Sequence, residues 1–332
     1  MNPWRPSLWF RRLPLLLLTC LGAGTAQAQI SCSSTSMSAL SFGNVDPLTS
    51  LTNFSATLNY TCSNASSNRT WSARVCFSIG EPGGGQTNPR LMSSGANKLQ
   101  FQLYRDPGRT LVWGSQYFGS VLTPLEVTMT LGSRGTTSGS ATLYGQVLGG
   151  QTGAIPGSYT QVYQNGDTAV TINDVQRSTA PAGCDSAQTG NYFPFTVSAA
   201  VVKRCLVNAA TDIDLNTVPA SATNISGNGN ISITCSNTTP YNVGLLPSNG
   251  HTGGTGAMSG TGGNTDKVPY QLYQNAGYST VWGNTATASS TGNGIAGTGT
   301  GAARSHTVYV RAPSADYTPG SYSDTVTVNV NY

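Results

Sequence analysis

Charge is what this chain most lacks. Asp, Glu, Lys and Arg make up 8% of its 332 residues, against roughly 25% in an average soluble domain. Too few Glu and Lys are present to line the solvent faces of long amphipathic helices, so bundles and coiled coils are excluded. The first 28 residues hold Arg5, Arg11 and Arg12 and no acid, which leaves 13 basic against 12 acidic groups in the remainder. That near-balance excludes the basic footprint of a nucleic-acid binder.

Histidine is reduced to two, His251 in a Gly-rich stretch and His306 at the start of an alternating one. Neither is marked as the base of a Ser-His-Asp triad. Asp212 and Asp214 are close in sequence, but alternation places both on one solvated face of an edge strand, not across a glycosidase cleft. Gly83-Gly84-Gly85 lacks the lysine and the helix of a phosphate loop. No cysteine sits in a CxxC pair, so a zinc site is unsupported. The residues predict no catalytic centre, no metal and no cofactor.

Long apolar runs are missing too. The one near the start, residues 13–22, is too short to span a bilayer. It follows basic residues and precedes Ala26-Gln27-Ala28, a small-x-small cleavage site, so residues 1–28 read as an export signal. Cys20 leaves with that signal. Cys32, Cys62, Cys76, Cys184, Cys205 and Cys235 remain, an even set in an oxidising compartment.

What is present is repetition. Cys32 to Cys62 and Cys205 to Cys235 are both 30 positions apart. Residues 102–114, with Tyr104 and Trp113, match 271–283, with Tyr273 and Trp282; residues 155–172 match 317–332 around Pro-Gly-Ser-Tyr. Three ordered matches indicate a duplicated domain rather than a short solenoid repeat. The equal spacing suggests Cys32–Cys62 and Cys205–Cys235 as equivalent disulfides, with Cys76–Cys184 private to the first domain. Trp113 and Trp282, recurring at one station, read as core.

Strand signals are frequent. Val326, Val328, Val330 and Tyr332 alternate with polar residues, as do Phe193, Phe195, Val197, Ala199 and Val201. Asp106-Pro107-Gly108 and Asn165-Gly166-Asp167 carry hairpin-type turn chemistry. The Gly-rich runs 250–264 and 289–302 read as low-complexity loops that bury no core. The fold expected is all-β, two tandem immunoglobulin-like sandwiches.

The cysteine pair, the Leu-Tyr…Trp-Gly segment and the closing Pro-Gly-Ser-Tyr strand with its terminal tyrosine resemble the spore coat protein U family, whose members include subunits of archaic chaperone–usher pili. The resemblance implies pilin-type sandwiches that lack a final strand, which a neighbour's extension supplies. On that reading residues 29–190 are an N-terminal adhesin-like domain and 205–332 a C-terminal pilin-like domain, the second lacking its final strand. Residues 191–204 are a linker that completes the first domain, with Phe193, Phe195, Val197, Ala199 and Val201 as its donor face. Val326, Val328, Val330 and Tyr332 form the last strand beside an open acceptor groove. Only Gln29, Ile30 and Ser31 precede Cys32 after cleavage, so the chain is expected to accept a strand and not to donate one, which places it at a pilus tip.

The implied partners are a periplasmic chaperone, an outer-membrane usher and the next pilin subunit; the implied role is surface attachment and biofilm formation after secretion through the periplasm. The alternative is a secreted coat or matrix protein that polymerises by strand exchange without a receptor. Candidates for the adhesive surface are Tyr117, Phe118, Val121 and Leu122, whose counterparts after Trp282 include no large apolar residue; the same stretch also fits a buried connecting strand. The loop 173–191, held by Cys184, is a second candidate.

Overall fold

The computed structural model describes residue 1 and residues 29–49, 51–82, 88–116, 123–184 and 189–332. Apart from Met1, the expected export signal lies outside them. The described residues form strands and no helix.

The first half contributes eleven strands: β1 (Ile30–Met37), β2 (Leu40–Val45), β3 (Thr52–Asn64), β4 (Trp71–Ile79), β5 (Arg90–Ser94), β6 (Asn97–Tyr104), β7 (Leu125–Leu131), β8 (Thr136–Val147), β9 (Gly157–Tyr163), β10 (Thr168–Val175) and β11 (Phe195–Val201). They pair as an eight-stranded sheet, β1-β3-β8-β6-β5-β9-β11-β2, and a three-stranded sheet, β10-β4-β7.

The second half contributes β12 (Cys205–Ala210), β13 (Thr223–Cys235), β14 (Pro240–Pro247), β15 (Thr255–Gly260), β16 (Lys267–Tyr273), β17 (Ile295–Thr298), β18 (Ala303–Ser314), β19 (Tyr322–Ser323) and β20 (Val326–Asn331). Their order is β12-β13-β18-β16-β15-β19 in one sheet and β17-β14-β20 in the other. Superposing the two orders matches β1 with β12, β3 with β13 and so on to β9 with β19. The positions of β11 and β2 have no strand in the second half.

The duplication extends to single bonds. Trp113 and Trp282 are fully buried, and their indole N–H groups donate to the carbonyls of Phe77 and Val243 at 2.8 and 2.9 Å. A buried indole needs such an acceptor. The Tyr159 and Tyr322 hydroxyls each donate to a carbonyl four residues upstream, Ile155 at 2.8 Å and Thr318 at 2.6 Å. That bond accounts for the repeated Pro-Gly-Ser-Tyr. Cys32 lies opposite Cys62, and Cys205 opposite Cys235, in the register of neighbouring strands.

Three local expectations are corrected. The Gly-rich runs 250–264 and 289–302 contain β15 and β17, and Met258 and Ile295 pack against the core. Gly256 lies opposite Tyr270, and Gly297 opposite Tyr241; a Cβ at either glycine would run into that ring. Glycine here makes room for a cross-strand aromatic, so the run is a strand whose bulk is supplied by its partner. Asn165-Gly166-Asp167 joins β9 to β10, which belong to different sheets, so the turn crosses the sandwich instead of closing a hairpin. Asp212 and Asp214, expected on one face of an edge strand, lie in residues 211–219, which pair with nothing as a strand, although both carboxylates are exposed.

Candidate functional site

The difference between the halves lies at one sheet edge. In the first half β11 runs antiparallel to β9 and parallel to β2. Its alternation sets the face: Phe193, Phe195, Val197, Ala199 and Val201 are all buried, with polar or small residues between them. Phe193 meets Phe77 edge-to-face at 6.0 Å, and Phe195 stacks on Tyr163 at 4.5 Å. Burying one such ring stabilises by roughly 1.5–3 kcal/mol, and residues 193–201 pack their apolar face into the first core.

The second half repeats the walls of this slot without the strand between them. Adding 173 to Ser38, Leu40, Phe42, Gly43 and Val45 gives Thr211, Ile213, Leu215, Asn216 and Val218. The backbone agrees: Ser38 N–H donates to the Thr57 carbonyl and Thr211 N–H to the Asn230 carbonyl, each at 3.0 Å. Gly43 and Asn216 both adopt φ of +63°. β2 is a strand because β11 pairs with it; residues 211–215 have no such partner and form none.

Between residues 210–215 on one side and 322–328 on the other lies a cavity of about 490 Å³. Ile213, Leu215, Leu245, Leu272, Val310 and Val328 supply its apolar lining. Leu40, Phe42 and Tyr159 are buried in the first half, whereas Ile213, Leu215 and Tyr322 are half-buried. β10 is buried along Thr168–Ile172, while Val326, Val328 and Val330 of β20 remain half-buried and Tyr332 is exposed. Apolar side chains flanked by unpaired backbone on both sides suit an extended segment, which satisfies backbone donors and acceptors while its alternate residues enter the cavity.

One polar pair sits in this lining. The Tyr270 hydroxyl donates to Asp324 Oδ2 at 2.6 Å, and Thr325 N–H donates to Asp324 Oδ1 at 2.8 Å. Burial, then the bonded carboxylate, push the Tyr270 hydroxyl well above its ordinary value, so it stays a donor. Sequence reasoning missed Ile213, Leu215, Tyr270 and Asp324. The 173-residue offset from Leu40 and Phe42 was the available signal for the first two.

The remaining expected sites are placed as follows. Disulfides join Cys32 to Cys62, Cys76 to Cys184, and Cys205 to Cys235. The Cys184 loop is also tied to the small sheet: Ser72 Oγ donates to the Arg177 carbonyl, Arg74 Nε to Pro181 and Asn173 Nδ2 to Gly183, at 2.7–2.9 Å. Tyr117, Phe118, Val121 and Leu122 lie outside the described residues; at their flanks Gly114 N–H donates to the Thr123 carbonyl at 3.0 Å. Gly283 N–H and the Asn293 carbonyl close the equivalent neck in the second half at 3.1 Å. His306 is buried against the Tyr241 hydroxyl at 3.0 Å; burial, then the nearby Arg304 charge, lower its pKa. No three His, Cys, Asp or Glu side chains among the described residues form a metal cluster.

Comparison with known proteins adds to this geometry. The family model described as the Spore Coat Protein U domain matches residues 18–165 and again 191–329. A chain of the CsuC–CsuE chaperone–tip adhesion subunit pre-assembly complex, from archaic chaperone–usher Csu pili of Acinetobacter baumannii, has this fold with a TM-score of 0.50. It is 16% identical, over 91% of this chain and 100% of that one. The CupB6 tip adhesin of Pseudomonas aeruginosa matches at 12% identity and a TM-score of 0.37, over 91% and 93% of the two chains. CfaE, the adhesive subunit of CFA/I fimbria of enterotoxigenic Escherichia coli, matches at 11% identity and a TM-score of 0.33, over 90% and 93%. A search of curated proteins found no match.

Proposed function

The chain belongs to the Spore Coat Protein U domain family, a structural protein and not an enzyme, and from that premise we propose that it is the tip adhesin of a chaperone–usher pilus. The carrying observation is the pair of slots, one filled by the chain's own 193–201 and one vacant beside 211–215. A pilin-type sandwich in that state receives a strand from the next subunit. Its only described alternating segment ahead of a domain cysteine is engaged in its own first sandwich. Gln29 and Ile30, ahead of Cys32, are bonded through their backbone N–H groups to Asp174. Such a subunit accepts without donating, which belongs at the end of a fibre.

A vacant slot with an apolar floor and two unpaired edges is an aggregation hazard, which calls for a periplasmic chaperone before an usher passes the subunit outward. A protein of the same fold occurs in a chaperone–tip adhesion subunit pre-assembly complex. The domains fall at 29–190 and 205–332, with 191–204 completing the first although the family match assigns 191 onward to the second. On this reading the first domain mediates attachment and biofilm formation, with Tyr117, Phe118, Val121 and Leu122 as the leading candidates for its adhesive face.

The test is a truncation pair with the full mature chain. Residues 29–204 are expected to fold as a stable monomer and 29–190 to be insoluble. Residues 29–332 are expected to need a coexpressed chaperone, or an added strand, to stay soluble. Equal stability of 29–190 and 29–204, or a full chain indifferent to both partners, overturns the reading.

A further inference from the structure

We infer that Asp324 makes the second domain's slot selective: the strand that fills it carries a hydrogen-bond donor, a Ser, Thr or Lys side chain, at the position where the first domain's own strand has Val197. This rests on the reading of the slot as a strand acceptor and adds what it accepts.

The register comes from the filled slot. Val197 lies opposite Gln161 of β9 and Leu40 of β2 and is fully buried. Tyr159 and Tyr322 are equivalent by sequence and by their hydroxyl bonds, so Gln161, two residues on, corresponds to Asp324. Leu40 corresponds to Ile213. An incoming strand in the same register therefore brings one core-facing side chain between Ile213 and Asp324. Tyr322, Asp324 and Val326 alternate with more exposed neighbours and line the cavity, so Asp324 shares the face of that side chain. Asp324 is the first residue beyond β19, whose Ser323 pairs with Ser259 of β15 as Thr160 of β9 pairs with Ser93 of β5; directly opposed residues on one face stand about 5 Å apart at Cβ.

The chemistry differs between the slots at three linked positions. Phe101, fully buried in the first, corresponds to Tyr270, and Arg90, opposite Phe101, corresponds to Gly256, opposite Tyr270. Gly256 lets the Tyr270 ring lie across it, and the hydroxyl of Tyr270 bonds Asp324. Among the described residues, Asp324 accepts from Tyr270 and Thr325 and forms no ion pair. A carboxylate offers about four acceptor sites. Filling the slot removes water from the rest, a cost that a third donor offsets and a valine does not. The slot is thereby biased against the chain's own 193–201 strand, and so against a second copy exchanging that strand into it.

Two synthetic peptides of residues 193–204, one native and one with Val197→Thr, isolate this effect, because the substitution keeps the β-branched shape and exchanges one methyl for a hydroxyl. Their relative affinities are read by fluorescence anisotropy as each displaces the coexpressed chaperone from the full mature chain. The Thr peptide is expected to bind about tenfold tighter, a hydrogen bond to a charged acceptor being worth that much or more. With Asp324→Leu the order is expected to reverse, and with Asp324→Asn, which keeps a Tyr270 partner, the preference is expected to shrink. Equal binding of the two peptides to the unmodified chain overturns the selectivity while leaving the slot as an acceptor. Binding of neither peptide overturns the acceptor reading itself, and the selectivity with it.

Discussion

Val45 and Val218 stand 173 residues apart at one station of two sandwiches, and their exposures are 3% and 37%. The first lies opposite Val201 of a strand parallel to its own; the second has no such neighbour. Local sequence is not the cause, since both are valines two residues beyond a left-handed backbone position, Gly43 or Asn216. What differs is whether a strand fills the slot.

If β11 completes the first core, its aromatic anchor should be costly to remove. Phe193→Ala is expected to destabilise the first domain by about 3–5 kcal/mol, the range for deleting a buried ring. Val218→Ala, on the open wall, is expected to stay within about 0.5 kcal/mol, as surface changes do. Urea unfolding of the mature chain measures both, and equal costs would contradict the assignment.

The disulfides should rank by the chain they enclose. Cys76–Cys184 spans 108 residues and the other two span 30 each. In the chain-entropy account these loops correspond to about 4.7 and about 3.6 kcal/mol. Paired Ser variants compared by thermal melting are expected to follow that order. Mapping of the unreduced protein is expected to return these three bonds, and a Cys62–Cys76 peptide would contradict them.

His306 gives a pH dependence. Its pKa is lowered in the folded state by burial and by Arg304, so the unfolded chain binds the proton first. Stability is then full above about pH 6.5, the unfolded value. It is lost as pH falls from there to the folded pKa, and levels off below it. The urea midpoint of the second domain is expected to drop between pH 7.5 and 5. His306→Gln is expected to flatten that drop, and an unchanged slope would contradict the account.

Attachment should separate from folding. Polar substitution of Tyr117, Phe118, Val121 and Leu122 is expected to reduce adhesion of piliated cells while moving stability by no more than about 0.5 kcal/mol. Lost folding instead of lost adhesion would place these residues in a core.

The fold was readable where pattern and burial coincide. Alternation through Phe193–Val201 marks a strand buried on one face, and the repeated Trp113 and Trp282 mark one station in each core. Where bulk comes from a partner strand the pattern fails, as at Gly256 under Tyr270 and Gly297 under Tyr241. Arg90 was also illegible. A sequence with so few charges gave no reason to bury one, yet its guanidinium bonds the carbonyls of Ile79 and Trp113 and Gln102 Oε1 at 2.8–3.1 Å. At the slot the charges of Asp212 and Asp214 are exposed, while Ile213 and Leu215, which alternate with them, line the cavity. Their role depends on a strand that this chain does not place there.

Amide hydrogen exchange of the mature chain, dilute and freshly freed of its chaperone, and again with a strand-donating peptide, tests the vacant slot most directly. Amides of β9, paired on both sides, are expected to be protected throughout. Those of residues 212–215, which pair with nothing in the chain alone, are expected to exchange freely there and to slow when the peptide binds, since protection follows pairing and burial. Protection of 212–215 equal to that of β2 in the chain alone would mean the slot is already closed, and would contradict the account.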